Sequence, residues 1–278
     1  MRSPFVVRPT LLLSIAAALF APWTAMAESA TADDRIALSA DGSTLTGTNG
    51  GAGASLGWLH NFDAASLAGV AVEHQVLSTA HWTFGSINGS LTRGPDGQRY
   101  SVYGEAHEGT GDDGPHSFRY AIESAGVIGT YFHRLSAQLE DREINVDNIH
   151  GNLPKAALSY LWSPHLLTSA SYSYSVRGNL GTRLTAVRID EYNATVNLLA
   201  GVAFGQVSPI VVGIVSNQAV VLAAGHRLKE GYVGMSKPLQ HLRSEIALVA
   251  DYQDVSGSKR FTLTLSYIFR VGRAGTAR

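Results

Sequence analysis

Cysteine is absent from this 278-residue chain. No disulfide can form, so an exported form must draw its stability from other sources. Neither sign of charge is in excess: 21 Lys and Arg stand against 22 Asp and Glu. That balance leaves no footprint for nucleic acid and no polybasic tether to a membrane surface. The 10 histidines are scattered without metal-ligand spacing, so no metal or other cofactor is expected. Long apolar runs are missing beyond the first 27 residues. The richest stretch, 209–224, is divided by Ser216-Asn217-Gln218 into halves too short to cross a bilayer as helices. Two strands joined by a turn fit it better. Heptads, helical-period stretches, low-complexity linkers and domain breaks are also lacking.

The N-terminus carries a positive start, Arg2 and Arg8, then the apolar run Leu11 to Phe20, then Ala25-Met26-Ala27. A charged start, a short apolar centre and a small-x-small site read as a secretory signal peptide cleaved before Glu28. The apolar run falls short of the ~20 residues a spanning helix needs. The expected organisation is a leader over 1–27 and one domain over 28–278. Two basic and no acidic residues leave with the leader, so 19 bases face 22 acids and the remaining net charge is −3. The 29 glycines suit tight turns and places where backbones crowd.

Beyond the leader the chain is a series of short runs punctuated by turn residues. Candidate strands lie near 35–46, 51–62, 67–77, 80–92, 99–109, 117–130, 133–145, 153–162, 166–177, 183–204, 209–216, 219–236, 241–253 and 259–271. The last is the most regular. Phe261, Leu263, Leu265, Tyr267 and Phe269 alternate with Arg260, Thr262, Thr264, Ser266 and Arg270, broken only by Ile268. Side chains on a strand point alternately to its two faces, so those faces meet different media. In 166–177 the apolar set includes Leu166, Ala170, Tyr172 and Tyr174 against Ser169, Ser171, Ser173 and Ser175. In 191–204 Tyr192 to Phe204 alternate with Glu191, Asn193, Thr195 and Asn197, and in 243–253 Ile246, Leu248, Ala250 and Tyr252 with Arg243, Glu245, Asp251 and Gln253. Trp58, Trp82, Tyr160, Trp162, Tyr174 and Tyr267 fall near strand ends, as in interfacial girdles.

Brief connections at 63–65, 94–97, 162–165 and 237–240 alternate with longer polar ones at 109–116, 145–154, 177–183 and 253–259. Short turns on one rim and long loops on the other describe a transmembrane barrel. The fold class is therefore all-β, an antiparallel transmembrane β-barrel of about 14 strands (about 12–16), even-numbered as single-chain barrels are. A soluble sandwich with its apolar faces inward would give the same alternation.

The closing Leu263-x-Leu265-x-Tyr267-x-Phe269 resembles the terminal signature of bacterial outer-membrane β-barrel proteins, which that family's insertion machinery reads. The tail Val271 to Arg278 departs from it, since the family usually stops at the aromatic residue. In size and layout the chain also looks like YaiO-type barrels, a family sometimes associated with surface polysaccharide pathways. The resemblance implies the outer membrane of a Gram-negative bacterium, with its lipid, lipopolysaccharide and insertion machinery as partners. It brings no functional residues with it.

If the apolar faces touch lipid, the polar ones line a lumen. That assigns inward positions to Glu105, Arg119, Glu123, Arg134, Arg177, Glu191, Arg243, Glu245 and Asp251. It assigns them also to Glu73, Gln138, Glu140, Arg142, Lys155, Arg260 and Arg270. The leading function is a channel or export pore for polar solutes or saccharides, filtered by that charged wall. A lumen plugged by its own ion pairs, giving a structural or adhesive barrel, is one alternative. A barrel hydrolase acting on lipid or peptide is another. For the latter, Asp112, Asp113 and His116 share a loop where carboxylates beside a histidine could activate water, but adjacency fixes no geometry. Gly53-Ala54-Ser55-Leu56-Gly57 matches G-x-S-x-G without the strand-to-helix turn that the motif requires. No enzyme is expected.

Overall fold

The computed structural model describes residues 33–271 except 47–49, 64–65, 78–79, 96, 115, 147–148, 179–181, 194–196, 210, 216–217, 223–225, 240–242 and 256–257. The expected leader lies outside the described residues. In chain order the strands are β1 (Asp33–Leu45), β2 (Gly51–Asp63), β3 (Ser66–Leu77), β4 (Ala80–Arg93), β5 (Gln98–Asp113), β6 (His116–Tyr131), β7 (Leu135–Val146), β8 (Ile149–Asn152) and β9 (Lys155–Ser163). Then come β10 (Leu166–Tyr174), β11 (Arg177–Gly178), β12 (Thr182–Asn193), β13 (Leu198–Pro209), β14 (Val211–Val215), β15 (Gln218–Leu222), β16 (His226–Leu239), β17 (Ser244–Val255) and β18 (Ser258–Val271).

Fourteen of these close into an antiparallel barrel. β1 pairs with β18 from Asp34 opposite Val271 to Leu45 opposite Arg260. On the far side β7 pairs with β9 up to Glu140 opposite Lys155. Above that point β8 takes over the edge of β7, and β11 adds to β8. β14 and β15 pair only with each other, as the turn in 209–224 predicts.

Burial separates the barrel from the sandwich. On β18, Leu265 is 53% exposed and Thr264 only 5%. Leu38, Leu56, Val72, Ile87, Val102 and Leu139 are likewise exposed, whereas Gln75, Asp251 and Ser266 are buried. A sandwich buries its apolar faces; here they are the exterior. Such a surface is stable only in an apolar medium, where a closed ring also satisfies every backbone group. The barrel spans a membrane.

The start of β1, the end of β18 and the turns at 64–65, 94–97, 132–134, 164–165, 194–197 and 240–243 share one rim. All four brief connections expected from the sequence are there, and all four longer ones are on the opposite rim. Two of the latter are shorter than expected: β5 meets β6 across 114–115, and β17 meets β18 across 256–257. The expected strand 183–204 is two strands, β12 and β13. Its turn has no glycine or proline, and Thr195 and Val196 prolong the apolar alternation. Asn197 takes the left-handed conformation (φ 46°) that Asn tolerates better than most residues. The expected strand 219–236 likewise divides into β15 and β16. The expected total agrees with the ring only because a missed strand offsets β14, which lies outside it.

Candidate functional site, the barrel lumen

The lumen changes character along its length. From the short-turn rim, the inward Ser39, Ser55, Ser86, Asn88, Ser159 and Ser169 are half-buried and line a vestibule of small polar groups. Toward the other rim the inward side chains of most strands become buried. Charged groups lie among and beyond these serines, Arg188 in register with Ser169 and Glu105 with Asn88, and they are bonded by a recurring device.

Three times, a glycine on the inward face lets side chains on its two flanking strands meet across it. Gly53 lies between Asp41 and Gln75 in register, and the Gln75 Nε2 donates to Asp41 Oδ1 at 3.1 Å. Gly126 lies between Tyr103 and Glu140, and the Tyr103 hydroxyl donates to Glu140 Oε2 at 2.6 Å. Gly201 lies between Asp190 and Tyr232, whose hydroxyl donates to Asp190 Oδ1. A Cβ at any of the three glycines would collide with the side chain lying over it. The long polar groups therefore lie flat along the wall.

Each bridge is reinforced. Gln75 Nε2 also donates to Glu73 Oε1 at 2.6 Å. Glu140 accepts from Gln138 Nε2 at 3.0 Å and pairs with Arg142 at 2.7 Å and Lys155 at 3.8 Å. Arg188 Nε donates to Asp190 Oδ1 at 2.8 Å while its guanidinium lies 4.6 Å from the Tyr232 ring centroid. Glu105 pairs with His107. A charge removed from water is tolerable when paired and hydrogen-bonded in this way.

Beyond the charged layer the interior becomes apolar. Trp82, Phe84, Phe118, Tyr120, Ile122, Ile144, Val146 and Leu153 pack into one buried cluster. Glycine serves here too: Phe84 and Tyr120 meet across Gly109, their centroids 5.9 Å apart. Outside, at the same level, the wall is polar, with Glu108, Arg119, Glu123, Asp141 and Glu143 exposed. Along β6, Phe118, Tyr120 and Ile122 face in and Arg119 and Glu123 face out; farther on, Ser124 faces in and Val127 out. The faces of β4 to β7 exchange polarity partway along. That exchange marks the membrane boundary, since water lies outside the wall above it and lipid below.

This inversion corrects several sequence-derived positions. Arg119 and Glu123 were expected inward because they are charged. They lie on the outer face, where Arg119 donates to Glu108 at 2.8 Å. Glu191 is exposed on the outer side of β12 beside the buried Asp190, near the short-turn rim. Arg134 and Arg243 are exposed in turns, and Arg177 is exposed on β11 outside the ring. Glu105, Glu245 and Asp251 lie on inward faces, as do Glu73, Gln138, Glu140, Arg142, Lys155, Arg260 and Arg270. Asp41, Tyr103, Arg188, Asp190 and Tyr232 were not singled out from the sequence. Their signal was an inward-phase glycine flanked in register by polar residues, which requires the strand pairing to read.

Asp112 pairs with His81 Nε2 at 2.9 Å on the outer face. Asp113 and His116 stand opposite each other in register at the hairpin tip. Ser55 lies in mid-strand on β2, with none of the elbow geometry of a hydrolase nucleophile. Among the described residues no group of three or more His, Asp or Glu could hold a metal ion.

No known family and no curated protein matches the sequence. The fold is similar to that of the CymD monoaromatic hydrocarbon channel, at 7% identity and TM-score 0.57 over 95% of this chain and 94% of that one. It is similar to the Pseudomonas putida toluene transporter TodX, at 7% identity and TM-score 0.53 over 91% and 93%. It is similar also to the Acinetobacter baumannii outer membrane protein Omp33, at 11% identity and TM-score 0.50 over 86% and 99%. At these identities the likeness is one of fold.

Proposed function

We propose that this chain is a channel of the Gram-negative outer membrane that passes small polar solutes. One observation carries the reading: an apolar exterior encloses a serine-lined vestibule that leads to a wall of charged side chains held flat. That arrangement fits selection of hydrated solutes. The short-turn rim faces the periplasm and the other rim the outside, the usual sense for such barrels. The terminal Tyr267 and Phe269, exposed on the lipid side of β18, are where the insertion machinery would engage. A role in polysaccharide export rests on the YaiO-type resemblance alone. A hydrolase at Asp112, Asp113 and His116 has less support, because Asp112 faces outward and is paired with His81.

The test is conductance of the refolded barrel in a planar bilayer, with folding checked by heat-modifiable gel migration. Stable unitary steps are expected. A folded barrel with no conductance overturns the channel and leaves the plugged structural barrel.

The apolar cluster favours a second reading, a path for small apolar solutes, which the names of CymD and TodX also bring forward. Titrating the refolded barrel with a monoaromatic hydrocarbon should then change its tryptophan fluorescence, and Trp82→Phe should abolish the change. A flat titration removes this reading.

A further inference from the structure

We infer that the lumen is cation-selective and that Asp251, with Asp41 and Glu73, sets the selectivity; this rests on the channel reading above. Between the two rims, the inward faces of β1 to β3 and β16 to β18 carry the acids Asp41, Glu73, Glu230 and Asp251. Arg260 is the one base described there in the half toward the longer loops; Arg35 and Arg270 lie inward near the short-turn rim, as does Glu245. The opposite wall is more nearly neutral, because Glu140 is met by Arg142 and Lys155, and Asp190 by Arg188.

The acids on the first side are incompletely satisfied. Asp251 is 1% exposed and lies against a second carboxyl group, Glu230, with no N–H donor to either of its oxygens among the described residues. Its ion pair with Arg260 is 4.0 Å long, at the limit of such contacts. Asp41 Oδ2 is also without a hydrogen bond. Buried carboxylates that the chain itself leaves short of donors are costly. Their excess of negative charge lowers the potential of the lumen beside them, which favours a passing cation over a passing anion. Rings of acidic side chains act in this way in cation pores.

The experiment measures the zero-current potential of the reconstituted wild-type barrel across a KCl gradient of about tenfold, where each sign of selectivity gives its own sign of voltage. Potassium is expected to be preferred over chloride. The pair Asp251→Asn with Glu73→Gln should lower the permeability ratio several-fold, and Arg260→Gln should raise it. Heat-modifiable migration confirms folding of each variant, and if Arg260→Gln fails to fold the neutralised pair decides. Unitary steps without cation preference, or a neutralised pair that matches wild type, overturn this inference and leave the channel standing. A folded wild-type barrel with no steps overturns both.

Discussion

Gly126 and Gly201 show how one missing methyl group shapes the lumen. Each lies under a tyrosine that reaches across it to a carboxylate two strands away. Gly201→Val should force the Tyr232 hydroxyl off Asp190 and disturb Arg188 with it. Overpacking of this kind costs about 1–3 kcal/mol, which a shift in the urea midpoint of the detergent-folded barrel would read. Unitary conductance should fall as well, because the displaced ring has only the lumen to move into. Glu140→Ala should be the more damaging change. It strips Arg142 and Lys155 of their shared carboxylate, and orphaning a buried charge costs on the order of 3–5 kcal/mol. Glu140→Gln, which still accepts from Tyr103, should cost less; equal losses for the two would mean that the charge, and not the hydrogen bond, is what matters.

At the scale of the strand, the governing fact is that β5 and β6, at 16 residues each, outreach the others. Their upper portions stand clear of lipid, so the rule assigning apolar to outside and polar to inside reverses there. A matched pair of substitutions tests the boundary. Leu265→Lys, on the lipid side of β18, should cost about 2–4 kcal/mol if it lies near mid-membrane, and should lower the yield of folded barrel. Glu123→Leu on β6, above the boundary, should change stability within about 0.5 kcal/mol, as surface substitutions do. A large effect at Glu123 would place that residue in the lumen after all. This boundary also explains what could be read from the sequence. Period-two alternation was enough for β18, where Phe261 to Phe269 face lipid throughout their length. It misled at Arg119 and Glu123 because alternation reports that two faces differ, not which face is which. Medium is a property of height, and height depends on register. Register also explains the bridges: Tyr103 and Glu140 are 37 residues apart and become neighbours only once β5, β6 and β7 are aligned. The merging of β12 with β13 had a more local cause, a turn built without its usual punctuation.

At the scale of the whole molecule, the ring does not depend on the β14–β15 hairpin. β13 pairs directly with β16 from Val207 opposite His226, and the hairpin pairs only with itself. Replacing residues 210–225 with a short Asn-Gly turn should therefore leave a barrel that folds and migrates anomalously unless boiled. Loss of that behaviour would show that the hairpin takes part in assembly. Closure itself links the two ends of the described chain, β1 to β18. The ring cannot be completed until the last strand arrives. The tall wall of β4 to β7 has a further consequence for a cell that carries this protein in the proposed orientation. Among the described residues, what stands farthest out on that side is paired strand with an apolar filling. A protease needs an extended, unpaired backbone to grip, so limited digestion of intact cells should spare this wall. An antibody or a phage fibre would meet there a relief built of paired strands.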